Sequence, residues 1–214
     1  GIGVAAIDGT AEAEDHFTRE GDFYYQGLTP EETADRIDAR SRVVGVSCMF
    51  SQDWPFVRRL IEAIRRRLPE ALIVAGGEHV SALADESLGM CRALDVCVMG
   101  EGEDTFLELV KTGRDREAWR QIAGLSFLDG DEFVRTKARA RIREVDKIPW
   151  PAWDLFPMEV YLSTDNMYGV NRGRTIGVLA TRGCPYQCTF CSNPSMYGRA
   201  WEARHPSDLL DQIE

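Results

Sequence analysis

From Gly1 to about Lys111, short apolar runs alternate with stretches whose apolar residues recur every three to four positions. Residues 4–7 form a brief apolar run closed by Asp8-Gly9, and Val43-Val44-Gly45-Val46-Ser47 is a β-branched run, which predicts a buried strand. Leu72-Ile73-Val74-Ala75 ends at Gly76-Gly77, and residues 95–99 end at Gly100-Glu101-Gly102-Glu103. Between them lie helical signals. Thr29-Pro30-Glu31-Glu32 offers an N-cap, a proline at the first helical position and a glutamate placed to close a capping box. After Asp53 and Pro55, the residues Phe56, Val57, Leu60, Ile61, Ile64 and Leu68 keep a period near 3.6. Two more helices are predicted, over about 81–90 and from Glu103 to about Lys111.

Strands separated by helices need crossover connections, so the pattern predicts an α/β domain with a doubly wound parallel sheet covered on both faces. Ligands of such sheets bind outside the carboxyl ends of the strands, where the glycine-containing loops fall. Residues 112–172 change character. Leu125–Leu128 and Phe133–Thr136 read as a hairpin turning at Asp129-Gly130, followed by a basic stretch and a linker with Pro149, Pro151, Pro157, Trp150 and Trp153. From Thr175 a further strand, Ile176–Ala180, is expected to run into a cysteine cluster, with a helix from Pro206. The organisation is therefore 1–111, 112–172 and 173–214. The chain opens without Met on a strand-like run and stops within a helix-like one, so it reads as a fragment.

Composition narrows the class. With 214 residues, 44% hydrophobic content and no long like-charge block, the chain suits a globular protein. A formal net charge of −10 argues against a broad nucleic-acid face and against anionic membrane. Arg58, Arg59, Arg65, Arg66 and Arg67 are therefore read as a solvated helix face. No run reaches the length of a membrane span and no signal-peptide pattern opens the chain. Three of the six cysteines fall between positions 184 and 191, which suits metal binding in a reducing compartment, by default the cytoplasm.

Thr181-Arg182-Gly183-Cys184-Pro185-Tyr186-Gln187-Cys188-Thr189-Phe190-Cys191 has the spacing C-x3-C-x2-C. Thiolates hold iron–sulfur clusters, and three ligands for four irons leave one iron open for chemistry. Zinc would normally recruit a fourth ligand, and His205 lies fourteen residues beyond Cys191. Cys48, Cys91 and Cys97, irregularly spaced among apolar neighbours, suit core packing better than a second cluster.

This segment resembles the radical S-adenosylmethionine superfamily in its three cysteines, in Phe190 just before the last, and in the Thr-Arg-Gly that precedes the first. The resemblance implies a [4Fe–4S] cluster on Cys184, Cys188 and Cys191, with Phe190 against the adenine of S-adenosylmethionine and Arg182, Gly183 and Pro185 shaping the loop. It also implies reductive cleavage of S-adenosylmethionine to a 5′-deoxyadenosyl radical, an electron donor such as flavodoxin or ferredoxin, and a (β/α) barrel of which this chain holds only the start.

A doubly wound domain ahead of such a barrel resembles the cobalamin-binding domain of the superfamily's cobalamin-dependent branch. There a serine after the third strand and Gly-Gly after the fourth contact the nucleotide tail; Ser47, Gly76 and Gly77 match those places, although Ser47-Cys48-Met49 departs from the usual serine-x-leucine. Gly100, Glu101 and Gly102 also resemble that branch, and His79 is the local imidazole at the ligand edge, with a backbone hydrogen bond its plainer role. The Asp-x-His-x-x-Gly loop that carries a cobalt-ligating histidine in some members does not occur; with residues 1–8 as the second strand, it would lie upstream.

These resemblances imply cobalamin-dependent methyl transfer to an unactivated carbon or phosphorus of a small-molecule or peptide substrate, with the fragment itself inactive. Radical cyclisation or rearrangement, methylthiolation, and a non-catalytic cobalamin-binding module are the alternatives.

Overall fold

The computed structural model describes residues 14–17, 23–26, 29–151, 153, 159, 162, 173–174 and 177–213. The strand expected over residues 4–7 lies outside them. A two-stranded antiparallel ribbon, β1 (Glu14–Phe17) and β2 (Phe23–Gln26), precedes the main sheet. Helix α1 (Pro30–Arg36) begins with the expected capping box. The Thr29 amide donates to Glu32 Oε2 at 2.7 Å and the Glu32 amide donates to Thr29 Oγ1 at 3.2 Å.

The main sheet has the order β3 (Val43–Ser47), β4 (Leu72–Gly76), β5 (Val96–Val98), β6 (Leu125–Asp129), β7 (Glu132–Arg135). The first three are parallel, joined by α2 (Trp54–Arg67) and by the pair α3 (Glu78–Ala82) and α4 (Ala84–Met90). The parallel order of β3, β4 and β5 is the one the pattern predicted, and the hairpin strands, which run antiparallel, extend it into a mixed sheet. The hairpin that reads in sequence as part of the connecting segment pairs along β5, whose open backbone edge needs donors and acceptors. Leu125, Ser126 and Phe127 of β6 are completely buried, covered on both faces of the sheet.

Side chains alternate between two cores, as the period of two requires. Ile73, Ala75 and Cys97 join Ile61, Ile64, Val80 and Leu88 on one face. Leu72, Val74, Val96 and Val98 join Leu109, Trp119 and Phe127 on the other, under α5 (Glu103–Thr112) and α6 (Arg116–Trp119). Cys48, Cys91 and Cys97 are buried free thiols of the first core, as expected.

Two readings need correction. The helix predicted over about 81–90 is two helices, broken at Leu83, where the Ser87 hydroxyl donates to the Leu83 carbonyl at 2.7 Å. Arg65 is not part of a solvated face. Its guanidinium donates to the carbonyls of Pro69, Ala71 and Ala93 and to Asp95 Oδ2 at 2.5 Å, tying α2 to the amino-terminal edge of the sheet.

Beyond β7 the basic stretch runs back along α5. Arg139 donates to Thr105 Oγ1 at 2.6 Å and to Glu108 Oε2 at 2.5 Å. Within the strand expected over Ile176–Ala180, Ile176 lies outside the described residues and residues 177–180 are irregular. A strand needs a partner, and the partner here is short: β8 (Thr181–Arg182) pairs antiparallel with β9 (Glu202–Ala203). The helix expected from Pro206 is present as Pro206–Ile213. Among the described residues no helix is long and apolar enough to cross a membrane.

Candidate functional site

The strand register sets Ser47 directly beside Gly76, so the ends of β3 and β4 form one continuous rim. Ser47, Met49 and Phe50 are exposed there. The Cys48 amide donates to the Gly76 carbonyl at 2.8 Å, and the His79 amide donates back to the Cys48 carbonyl at 3.2 Å. Gly77 sits at φ +101°, and a Cβ there would lie 2.5 Å from the Cys48 carbonyl oxygen. Only glycine fits, because two backbone segments meet at van der Waals distance. The glycine requirement at Gly77 is thus internal to the protein, whereas the sequence reading attributed it to an approaching ligand. The loop after β5 joins the same rim through the Gly100 amide, which donates to Ser81 Oγ at 2.9 Å.

His79 is placed differently from a cobalt ligand. Its ring is buried and stacked on Trp54 with centroids 5.0 Å apart. Nδ1 lies 2.9 Å from Ser51 Oγ and Nε2 3.4 Å from Ser87 Oγ. Burial holds the imidazole below its ordinary pKa, favouring the neutral ring that packing requires. With both nitrogens engaged, His79 acts as a strut between the rim and α4.

The three cysteines of the C-x3-C-x2-C segment share one loop. Cys184 is half-buried, while Cys188 and Cys191 are exposed, with Tyr186 and Phe190 projecting beside them. The Cys191 amide donates to the Cys188 carbonyl at 3.1 Å, and the Cys184 amide donates to the Gly198 carbonyl at 3.3 Å. Gly183 admits no side chain, because a Cβ would collide with the Ala200 carbonyl. Arg141 from the basic stretch lies against Gly183 and Gly198 and donates to the Ala200 carbonyl, while its Nε and Nη2 are buried without partners. Among the described residues no three His, Cys, Asp or Glu side chains converge as a metal site. The donor set nevertheless fits an iron–sulfur cluster: three soft thiolates on one short loop, beside a buried guanidinium with donors to spare for an anionic group.

Rim and loop are joined by a contact that the sequence reading missed. Glu101 is buried, and both of its carboxylate oxygens are used: Arg182 Nη1 donates to Oε1 at 2.8 Å and the Ile142 amide donates to Oε2 at 2.8 Å. Arg182 Nη2 donates to Glu103, and the Arg182 guanidinium lies over the Tyr197 ring, 5.4 Å from its centroid. Glu101 therefore spends both carboxylate oxygens on Arg182 and the Ile142 amide, which ties the loop after β5 to β8. Burial alone would lower the Arg182 pKa, but Glu103 and Glu101 together hold it above its ordinary value. Arg182 and Glu101 form the buried pair, and removing either one costs about 3–5 kcal/mol because the other is left charged and unpaired, whereas Glu103 is exposed. Two acidic residues in a glycine loop and an arginine in Thr-Arg-Gly were visible in the sequence, but nothing local pairs positions 81 residues apart.

The mixed sheet, its carboxyl-edge rim and the thiol loop clamped to it define an α/β domain with a cysteine-bearing segment tied to its strand-end loops. The B12 binding domain family matches residues 1–110, and the chain belongs to that family. It is similar to the anaerobic magnesium-protoporphyrin IX monomethyl ester cyclase of Cereibacter sphaeroides, 36% identical over 158 residues that cover 69% of this chain and 23% of the relative. It is also similar to the cobalamin-dependent radical SAM methyltransferase TokK of Streptomyces tokunonensis, 31% identical over 188 residues that cover 86% of this chain and 26% of the relative. The chain thus spans about a quarter of the length of these two relatives. Among solved structures, the cobalamin-dependent S-adenosylmethionine radical enzyme OxsB with aqua-cobalamin and S-adenosylmethionine bound shares the fold, with a TM-score of 0.69 at 21% identity. That match covers 87% of this chain and 25% of OxsB.

Proposed function

We propose that these residues are the cobalamin-binding and cluster-bearing part of a radical S-adenosylmethionine enzyme that transfers a methyl group to an unactivated carbon or phosphorus. The observation that carries this reading is the juxtaposition of two cofactor-type sites: a three-thiol loop anchored by Arg182 to the loop after β5 of a B12-binding fold. When bound, the cluster supplies the electron that splits the sulfonium of S-adenosylmethionine, and cobalamin supplies a methyl carrier. Cys184, Cys188 and Cys191 hold the iron, and Gly183 lets the loop pass the Ala200 carbonyl. Phe190, almost fully exposed, offers an apolar face for the adenine. Ser47, Gly76 and Gly77, with Gly100 and Gly102, line the rim for the nucleotide tail. A flavodoxin- or ferredoxin-type donor supplies electrons, and the thiols call for a reducing compartment such as the cytoplasm.

Radical cyclisation is the second reading, favoured by the identity with the magnesium-protoporphyrin ester cyclase. Anaerobic reconstitution of the full-length protein separates the possibilities. About four irons and four sulfides per chain are expected, lost on changing Cys184, Cys188 or Cys191 to Ala and kept on changing Cys48, Cys91 or Cys97. Turnover with methyl-labelled S-adenosylmethionine should then move label into product. Release of 5′-deoxyadenosine with no label transfer would favour cyclisation. Protein that retains no corrinoid after desalting would overturn the cobalamin assignment.

A further inference from the structure

The contact between rim and loop is more than a surface ion pair. The path from one to the other runs through Gly100 on Ser81, the buried Glu101 and the exposed Glu103 on Arg182, and Arg182 in β8, two residues before Cys184. Few of its links can yield: Glu101 spends both oxygens on fixed donors, and Gly183 is pressed against the Ala200 carbonyl. Tyr197 covers the guanidinium and helps to keep water from loosening the pair. A buried ion pair adds little stability that apolar packing would not match; what Arg182 with Glu101 and Glu103 does impose is one geometry, because a planar guanidinium satisfies two carboxylates in a single orientation.

Resting on the cobalamin and cluster reading above, we infer that Arg182 is a positioning residue that couples the two cofactor sites, so that filling the thiol loop changes the affinity of the rim for corrinoid. The coupling follows from rigidity. Ligands on Cys184, Cys188 and Cys191 must draw the loop together, and the Arg182 clamp passes that displacement to Gly100–Gly102. By linkage, corrinoid at the rim must stabilise the loaded loop by the same factor.

The test titrates hydroxocobalamin into full-length protein by absorbance, with the cluster reconstituted and with it removed. For wild type the two dissociation constants should differ by about fivefold or more, the low end of typical coupling between sites. In Arg182→Met both sites still load, and the difference collapses to less than about twofold. Arg182→Lys keeps the charge but cannot bridge both carboxylates, so it should fall between them. Glu103→Gln breaks only the half-exposed arm, and it decides the matter if Arg182→Met does not fold. A merely structural clamp would lower the melting temperature and leave the ratio of constants unchanged. Equal constants in wild type, or a full difference surviving in Arg182→Met and Glu103→Gln, would overturn the coupling while leaving the cobalamin reading intact. Wild-type protein that binds no corrinoid in either state overturns both.

Discussion

Gly77→Ala adds a single methyl group, and the structure says where it goes. The residue has φ +101° and ψ −179°, a region essentially reserved for glycine. Forcing alanine there costs about 1–3 kcal/mol in backbone strain alone. The new Cβ would also lie 2.5 Å from the carbonyl oxygen, 2.9 Å from the carbonyl carbon and 3.2 Å from the amide nitrogen of Cys48. These are backbone atoms held by the Cys48–Gly76 and His79–Cys48 hydrogen bonds, so no side chain can swing aside. Overpacking of this kind adds about 1–3 kcal/mol. The total, roughly 4 kcal/mol, corresponds to a fall in melting temperature of about 8–16 °C for a protein of this size. Thermal unfolding followed by far-ultraviolet circular dichroism, without corrinoid, measures it directly. A variant melting within about 2 °C of wild type would show that the rim has room. If that variant still lost corrinoid binding, the glycine would be required by the ligand, as the sequence alone suggested.

Three further outcomes follow from the same geometry. Ser47→Ala removes one exposed hydroxyl from the rim and should weaken hydroxocobalamin binding by about 1 kcal/mol with an unchanged melting temperature; an unaltered titration would remove Ser47 from the contact set. His79→Asn should lower stability through the lost Trp54 stack yet leave the absorption spectrum of bound cobalamin unchanged, whereas a shifted spectrum would restore the imidazole as a cobalt ligand. Burial, with a smaller contribution from Asp53, pushes the Cys48 thiol up to about 11 from its ordinary 9.0. The unfolded chain therefore sheds that proton first, so stability should be fully present below pH 9 and fall as pH rises toward about 11. Urea midpoints across that range should fall less steeply in Cys48→Ala, and parallel slopes would refute the assignment.

Much of the architecture is fixed by local rules that can be read one residue at a time. The capping box at Thr29 forms as written, because its donors and acceptors lie within four residues. Strands β4 and β5 are buried where their apolar runs demand it, β3 forms as expected but with no residue of Val43–Ser47 fully buried, and the apolar period along α2 buries Trp54, Val57, Leu60, Ile61 and Ile64. The thiol spacing is likewise local, so the three-cysteine loop of Cys184, Cys188 and Cys191 is legible without coordinates. What the pattern could not supply were interactions between distant positions. The hairpin Leu125–Arg135 reads as part of a connecting segment until the open edge of β5 claims it. Arg65 reads as solvated until Asp95 and three carbonyls surround it. The close approach of the Cys48 carbonyl to Gly77 and the bond from Arg182 to Glu101 have no local signal at all. In each case the partner is set by how elements stack in three dimensions, and hydrogen bonding and charge then select whichever distant group the packing has brought within reach.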